Sequence, residues 1–241
     1  MCFTVNVNLV REELENRFGA VLIDPDKYRP SYYYNAFSLP DIPAICSGMT
    51  KEIRMVKWGL IPSWVKSMDD ANFIRYKTFN ARGESIDQKP SFSESFRSKR
   101  CVIPIKGFYE WQHSGNDKIP WYIFDSHDEI MSLAGLYNDW TERSTGTTIS
   151  TFSIVTTTAN NLMAEIHNSG RRMPFILDRL TEKLWLDNSL PANSVTELIK
   201  PSPEASLNAH TISKLINDRS TDRNRADIIK PFNYSVGNLL F

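Results

Sequence analysis

Three residues far apart in this chain carry side chains suited to nucleophilic or acid–base work, and the first of them stands at position 2. Removal of an initiator methionine is favoured when a small residue follows, and here the second residue is Cys2. Loss of Met1 would leave Cys2 with a free α-amine (pKa about 7.7–8) beside a thiol (about 8.5), both partly nucleophilic near neutrality. Such a 1,2-aminothiol condenses with an aldehyde. The amine forms a Schiff base, and the sulfur then closes a five-membered thiazolidine ring, which no internal cysteine can do. The same terminus suits an N-terminal-nucleophile amidohydrolase, with the amine as base for the thiol. A cysteine on a first strand also serves as a small buried hydrophobe.

Glu110 lies among Phe108, Tyr109 and Trp111. A carboxyl set against aromatic surface has a raised pKa and works as both acid and base near pH 7; on the other face of a strand it would simply meet water. His167, in EIHNSGRRMPFIL, is the natural proton shuttle at cellular pH, or else a capping residue. Asn80 and Arg82 follow the apolar Phe79. An amide there can orient a carbonyl or ring oxygen, and a guanidinium can grip a phosphate or pair with Glu84. Arg171 and Arg172 carry the same two readings. Trp58 and Trp64 flank Pro62 in a stiff aromatic stretch that suits base stacking or core packing.

The elements that must position these groups read as a mixture of strands and short helices. MCFTVNVNLV alternates like a strand, and REELENRF has helical spacing. Residues 24–44, rich in Pro, Tyr, Asp and Ser, read as a long surface segment. IRMVKWGLIPSW runs as a strand into a proline-bounded turn, and 81–97 as a polar loop with a short helix. CVIPIKGFYEWQ, WYIFDS, IMSLAGLYNDW and TTISTFSIVTTTA read as four successive strands, the first two joined by an SGNDK turn. ANNLMAEIH is a short helix, RMPFIL a strand, and LTEKLWLDN a helix capped by Asp178 or Thr181. Residues 191–205 have loop character, 206–216 form a last strand, and 217–241 read as an irregular tail. The fold class is α+β with a strand-dominated core in one domain.

Composition narrows the function. With 241 residues, 41% hydrophobic and 12% aromatic, the chain is no disordered polymer. Its 28 basic and 28 acidic residues balance, so it is no bulk polycation, and a nucleic-acid surface would have to be local. Cys2, Cys46 and Cys101 form neither a disulfide framework nor a zinc spacing. A reducing cytoplasm, no metal and no cofactor are expected. No apolar run approaches the roughly 18–20 residues of a membrane span, and the N-terminus lacks a signal-peptide pattern.

The motifs Met1-Cys2, YYYNAF at 32–37, WGLIPSW at 58–64, FNARGES at 79–85, CVIPIKGFYEW at 101–111 and HNSGRRMPFIL at 167–177 occur in the order found in one family. The sequence resembles the SRAP family of SOS response-associated peptidases, the abasic site processing proteins, over nearly its whole length. The resemblance implies one SRAP-like domain over 1–241, with a barrel-like core of strands flanked by short helices. It implies a sensor of abasic sites in single-stranded DNA, including single-strand/double-strand junctions, that forms a covalent thiazolidine crosslink through Cys2 and so shields the lesion. Met1 leaves first by an autocatalytic peptidase step. Motif by motif, Cys2, Asn80, Glu110 and His167 would be catalytic, with Asn80 positioning the crosslink and Glu110 and His167 moving protons. Arg82, Trp58, Trp64, Asn35, Arg171 and Arg172 would contact DNA. The implied protein is a monomer, nucleoid-associated when bound. Two features depart from the family pattern: Thr4 stands where many members have Arg, and residues 168–171 separate His167 from Arg172-Met173-Pro174. Within the same chemistry an N-terminal-nucleophile peptidase, and outside it a non-covalent single-stranded DNA binding module, are the alternatives.

Overall fold

The structure is a computed structural model that describes residues 2–127 and 130–234. Its strands, in chain order, are β1 (Thr4–Val7), β2 (Val21–Leu22), β3 (Ser31–Asn35), β4 (Asp41–Cys46), β5 (Glu52–Trp58), β6 (Asn80–Arg82), β7 (Arg100–Ile105), β8 (Gly107–Ser114), β9 (Asp117–Asp125), β10 (Met131–Thr141), β11 (Thr148–Thr158), β12 (Arg172–Pro174), β13 (Ile176–Leu177) and β14 (Leu207–Thr211). The helices are α1 (Arg11–Phe18), α2 (Met68–Arg75), α3 (Ser93–Ser98), α4 (Asn161–Ile166), α5 (Arg179–Leu186) and α6 (Ala192–Leu198).

Five strands close on themselves. β4 pairs with β5 and β7, β7 with β10 and β10 with β11, and β11 returns to β5 through a parallel contact of Phe152 with Trp58. Closure removes free edges, and β10 is buried at every residue from Met131 to Asn138, as expected of a strand covered on both faces. The α+β, strand-dominated barrel expected from the sequence is therefore present. A second sheet, in the order β14-β9-β8-β1-β3, is antiparallel throughout. The chain crosses from barrel to sheet at Lys106, whose N–H donates to Asn6 O. Gly107 follows because a Cβ there would lie 2.5 Å from the Tyr122 hydroxyl and 2.6 Å from Ile123 O.

The structure corrects three readings of the sequence. Residues 24–44 are not merely surface: they hold β3 and the start of β4, whose Ile42 and Ala44 are fully buried in the barrel. CVIPIKGFYEWQ is two strands in two sheets, not one. Residues 191–205 include α6, which opens after Pro191 and packs on α5. The helix at 179–186 is capped as expected, with Asp178 accepting from Thr181 N. The expected irregular tail is irregular over its described part, with one short 3₁₀ turn at Ala226–Ile229, but it is fastened to the second sheet: Ile228, with Ile216 just ahead of the tail, packs with Tyr109 and Tyr122. Residues 235–241 lie outside the described residues. No helix among the described residues is long and apolar enough to cross a membrane.

Candidate active site

β1 places Cys2 and Phe3 at the margin where the two sheets meet. Val5 lies opposite Phe108 and Asn6 opposite Gly107. Continuing that register past Val5 sets Phe3 opposite Glu110, so the start of the chain runs beside the aromatic carboxylate. From the barrel side, β6 lies parallel to β11 with Asn80 opposite Ile154. The Asn80 amide Nδ2 donates to the Cys2 carbonyl at 3.0 Å. Its Oδ1 is buried with no hydrogen-bond partner among the described residues, a cost of about 1–3 kcal/mol that a bound polar group would recover.

Cys2 is fully buried. Its thiol is pushed well above its ordinary value, first by burial and then by the neighbouring Glu110 carboxylate. Glu110 is only 4% exposed. Burial lifts it from an ordinary 4.5 to about 7, against the opposing pull first of the N-terminal charge and then of the Trp111 N–H. A carboxyl at that value exchanges protons in both directions at neutral pH.

His167 caps the C-terminal end of α4, which opens with Asn160 accepting from Met163 N. Burial holds its imidazole below the usual histidine value, so the ring is neutral at pH 7. Nδ1 faces the Arg172 backbone on both counts, with the carbonyl at 3.0 Å and the N–H donating to it at 3.3 Å, which fixes the orientation of the ring. The turn after His167 is locked to β8. Asn168 accepts from His113 N (3.0 Å) and donates to His113 O (2.8 Å), and Gln112 Nε2 donates to Glu165 O. Gly170 lies against the imidazole: a Cβ would be 2.7 Å from Cε1 and 3.0 Å from Nε2. Arg171 follows at φ 47°, a left-handed conformation uncommon outside glycine. The interposed residues 168–171 thus form the cradle of His167.

Glu110, His167, Phe3 and Asn35 line one open cavity of about 950 Å³. Asn35 donates to Thr4 Oγ1 and to the Tyr33 hydroxyl, and its Oδ1 accepts from Phe37 N. Thr4 is therefore a buried structural partner of Asn35. Among the described residues no group of His, Cys, Asp and Glu has the arrangement of a metal site.

The other expected contacts are distributed differently. Trp58 is 0% exposed, stacks on Phe152 and donates to Phe79 O. A residue without surface cannot stack a base, so the expected direct DNA contact is corrected to a support beneath Phe79. Trp64 is exposed, donates to Pro90 O, and does not line the cavity. Arg172 is held by Glu84 through two 2.9 Å bonds and by Thr156, so the ion pair considered for Arg82 belongs to Arg172 instead. Arg82 is exposed, two residues from Asn80 and on the same face of β6. Arg171 is exposed as well.

The sequence reading missed an aromatic surface. Phe37, 56% exposed, lines the cavity, with its ring 5.4 Å from Phe3 and 5.2 Å from Phe79; Tyr76, 51% exposed, packs on Phe79 at 5.8 Å. Phe37 was legible only as part of YYYNAF, and nothing in the local pattern of α2 and its flank marks Tyr76 as a neighbour of Phe79.

The family model for the SOS response associated peptidase (SRAP) matches residues 1–219. An abasic site processing protein, YoqW of Bacillus subtilis, is 35% identical over 206 residues, covering 85% of this chain and 87% of that protein. The abasic site processing protein HMCES of Xenopus tropicalis is 30% identical over 222 residues, 81% of this chain and 64% of the relative. The crystal structure of a Bacteroides thetaiotaomicron protein superposes with a TM-score of 0.91 at 36% identity, over 96% of this chain and all of the other (100%).

Proposed function

The chain belongs to the SOS response associated peptidase (SRAP) family, and from that membership and the geometry of its site we propose that it captures abasic sites in single-stranded DNA as a thiazolidine on Cys2. The relatives named abasic site processing proteins support the lesion as substrate. The observation that carries the chemistry is the convergence on one residue: Asn80 holds the Cys2 carbonyl, the Glu110 carboxyl is felt by the Cys2 sulfur, and His167 shares the cavity with Glu110.

Hydrolysis of the Met1–Cys2 amide consumes one water and releases methionine, converting an unreactive amide nitrogen into an amine. This step gives the peptidase of the family description a substrate in cis. Glu110 then moves a proton from the C1′ hydroxyl to the ring oxygen of the abasic deoxyribose and opens it to the aldehyde. The Cys2 amine adds to the carbonyl, and protonation of the resulting hydroxyl by Glu110 or His167 expels one water to give the Schiff base. The thiol yields its proton to the same groups, and Sγ attacks the C=N carbon to close the ring. A Schiff base at C1′ also acidifies C2′ and invites strand cleavage by β-elimination; ring closure removes the C=N bond and suppresses that loss. Phe37 and Tyr76 offer stacking surfaces to bases beside the lesion, and Arg82 offers a fork to a phosphate.

Incubation with an abasic single-stranded oligonucleotide, followed by denaturing electrophoresis and intact mass, tests the proposal. A heat-stable adduct equal in mass to protein without Met1 plus oligonucleotide minus one water is expected. An adduct that retains Met1, or one that forms equally well with Cys2→Ser, overturns it.

A further inference from the structure

The cavity that holds Glu110 and His167 does not end at the chemistry. Its far side is lined by Lys118 at the start of β9 and by Arg219 and Arg223 of the segment after β14. Glu110, buried, is the only carboxylate among the described residues that line it, against three lysine or arginine side chains.

The segment that supplies the two arginines is built to hold them there. Ile216 and Ile228 are buried against Tyr109 and Tyr122. Ile212 N donates to Pro120 O, the Trp111 indole donates to Asn217 Oδ1, and Tyr32 N donates to Asn224 Oδ1. The strap is therefore pinned to β9, β8 and β3 in turn. Its acids are occupied locally: Asp218 accepts from Ser220 and Thr221, and Asp222 accepts from Asn224 N. Lys214 and Asp117 pair with each other at 2.9 Å, and Arg225 pairs with Asp227. Arg223 lies over the Tyr33 ring at 4.3 Å and donates to its hydroxyl at 2.9 Å, which fixes the guanidinium plane and leaves further donors on it. Among the described residues Lys118, Arg219 and Arg223 have no ion-pair partner. An overall neutral chain thus lines its groove with three cations that no carboxylate of the described residues holds in a direct ion pair; Arg223 feels Asp218 only at longer range.

We propose that residues 212–225 form a second wall of the groove, on which Arg219, Arg223 and Lys118 bind the phosphodiester backbone of single-stranded DNA to one side of the reacting sugar. The inference rests on the proposed function for the identity of the strand, but it concerns backbone charge and needs no lesion. Arg223, preset by Tyr33, forms a directional phosphate contact. Arg219 and Lys118, both exposed, supply the rest of the attraction.

Salt titration of binding to an intact single-stranded oligonucleotide tests it. The variant Arg219→Gln/Arg223→Gln should flatten the plot of log affinity against log salt by about 1.4, since each phosphate contact on a single strand contributes about 0.7. Arg219→Lys/Arg223→Lys should restore most of the slope. Arg225→Gln, which removes one positive charge from the end of the same segment on a residue already paired with Asp227, should leave the slope alone rather than lower it by the roughly 0.7 of a phosphate contact. Trimming the oligonucleotide on one side of an abasic position should weaken wild type and not the Gln double variant. An unchanged slope in that variant, or an equal loss with Arg225→Gln, overturns the wall. A wild type that binds but never crosslinks removes the Cys2 chemistry and leaves the wall; one that crosslinks while the Gln variant keeps its slope does the reverse.

Discussion

Two regions of this molecule hide cysteines equally well. Cys46 and Cys101 face each other across β4 and β7 in the closed barrel, and Cys2 sits at the margin between the sheets; all three are 0% exposed. Burial raises each thiol, Cys46 to about 12. Neither exposure nor thiol acidity separates them. Their company does. Cys101 packs beneath Gly135, where a Cβ would stand 2.8 Å from its sulfur, and the titratable groups acting with it are the Cys46 thiol and the Tyr137 phenol, both raised in their turn. Cys2 has a carboxylate acting on its sulfur and an amide on its carbonyl, and that carboxylate shares a cavity with the His167 imidazole. Around Cys46 the charges are the Arg54 guanidinium and the Asp139 carboxylate, already paired with each other, whereas the margin sets a carboxyl raised to about 7 beside Cys2. On the proposed function, the proton-exchanging groups gathered around a thiol, and not its exposure, mark the reactive one.

The largest effect that could break the comparison is at Cys2 itself. Cys2→Ser should abolish the heat-stable adduct outright, whereas Cys46→Ala and Cys101→Ala should crosslink at the wild-type rate; a dependence on either barrel cysteine, read on the same gel, would erase the distinction. Next, Glu110→Gln should slow adduct formation by about 10²–10⁴-fold and remove an inflection near pH 7 from the rate profile. The same variant has a thermodynamic signature. With Glu110 raised from 4.5 to about 7, the folded chain keeps a proton that the unfolded chain has lost between those values. Wild-type stability should therefore fall as pH rises through that window, and Glu110→Gln should not share the fall in urea titrations. Gly170→Ala would drive a methyl into the imidazole. The rate should drop by about 10- to 100-fold, as for a reacting group displaced by about 1 Å, and the pH profile should shift with the moved His167. Phe37→Ala should weaken binding of intact single strands by about 1–3 kcal/mol, the usual worth of one stacked base, in a fluorescence anisotropy titration. Smallest of all, Cys101→Ala should cost about 1–2 kcal/mol of stability through a small cavity, measured by denaturant midpoint.

Much of the barrel was legible because its long strands are written in β-branched and aromatic residues: IMSLAGLYNDW and TTISTFSIVTTTA became β10 and β11. β4 was not, since DIPAIC carries a proline and follows a tyrosine- and serine-rich stretch, and only pairing on both sides with β5 and β7 makes it a strand. The change of sheet at Lys106 was equally invisible, because a run of apolar residues reads the same whether it stays in one sheet or crosses to another. At the site, Cys2, Asn80, Glu110 and His167 were legible as types in a motif order. Their meeting depends on the β1–β8 register and the β6–β11 pairing, which are long-range facts. Trp58 illustrates the opposite failure: its aromatic ring fitted either a groove or a core, and local pattern could not choose. Arg219 and Arg223 lay in a stretch that read as tail, and only the tertiary anchors of that stretch turn them toward the groove.

The hydrogen bond from Asn80 falls on the carbonyl of Cys2, downstream of the peptide link that the proposed chemistry has to sever. Cutting ahead of it leaves that tether intact. The freshly exposed end is moored before it exists as an end, and only its nitrogen gains liberty. No docking or rearrangement need separate maturation from readiness, so each copy can be armed in place, whether or not damaged DNA is already waiting.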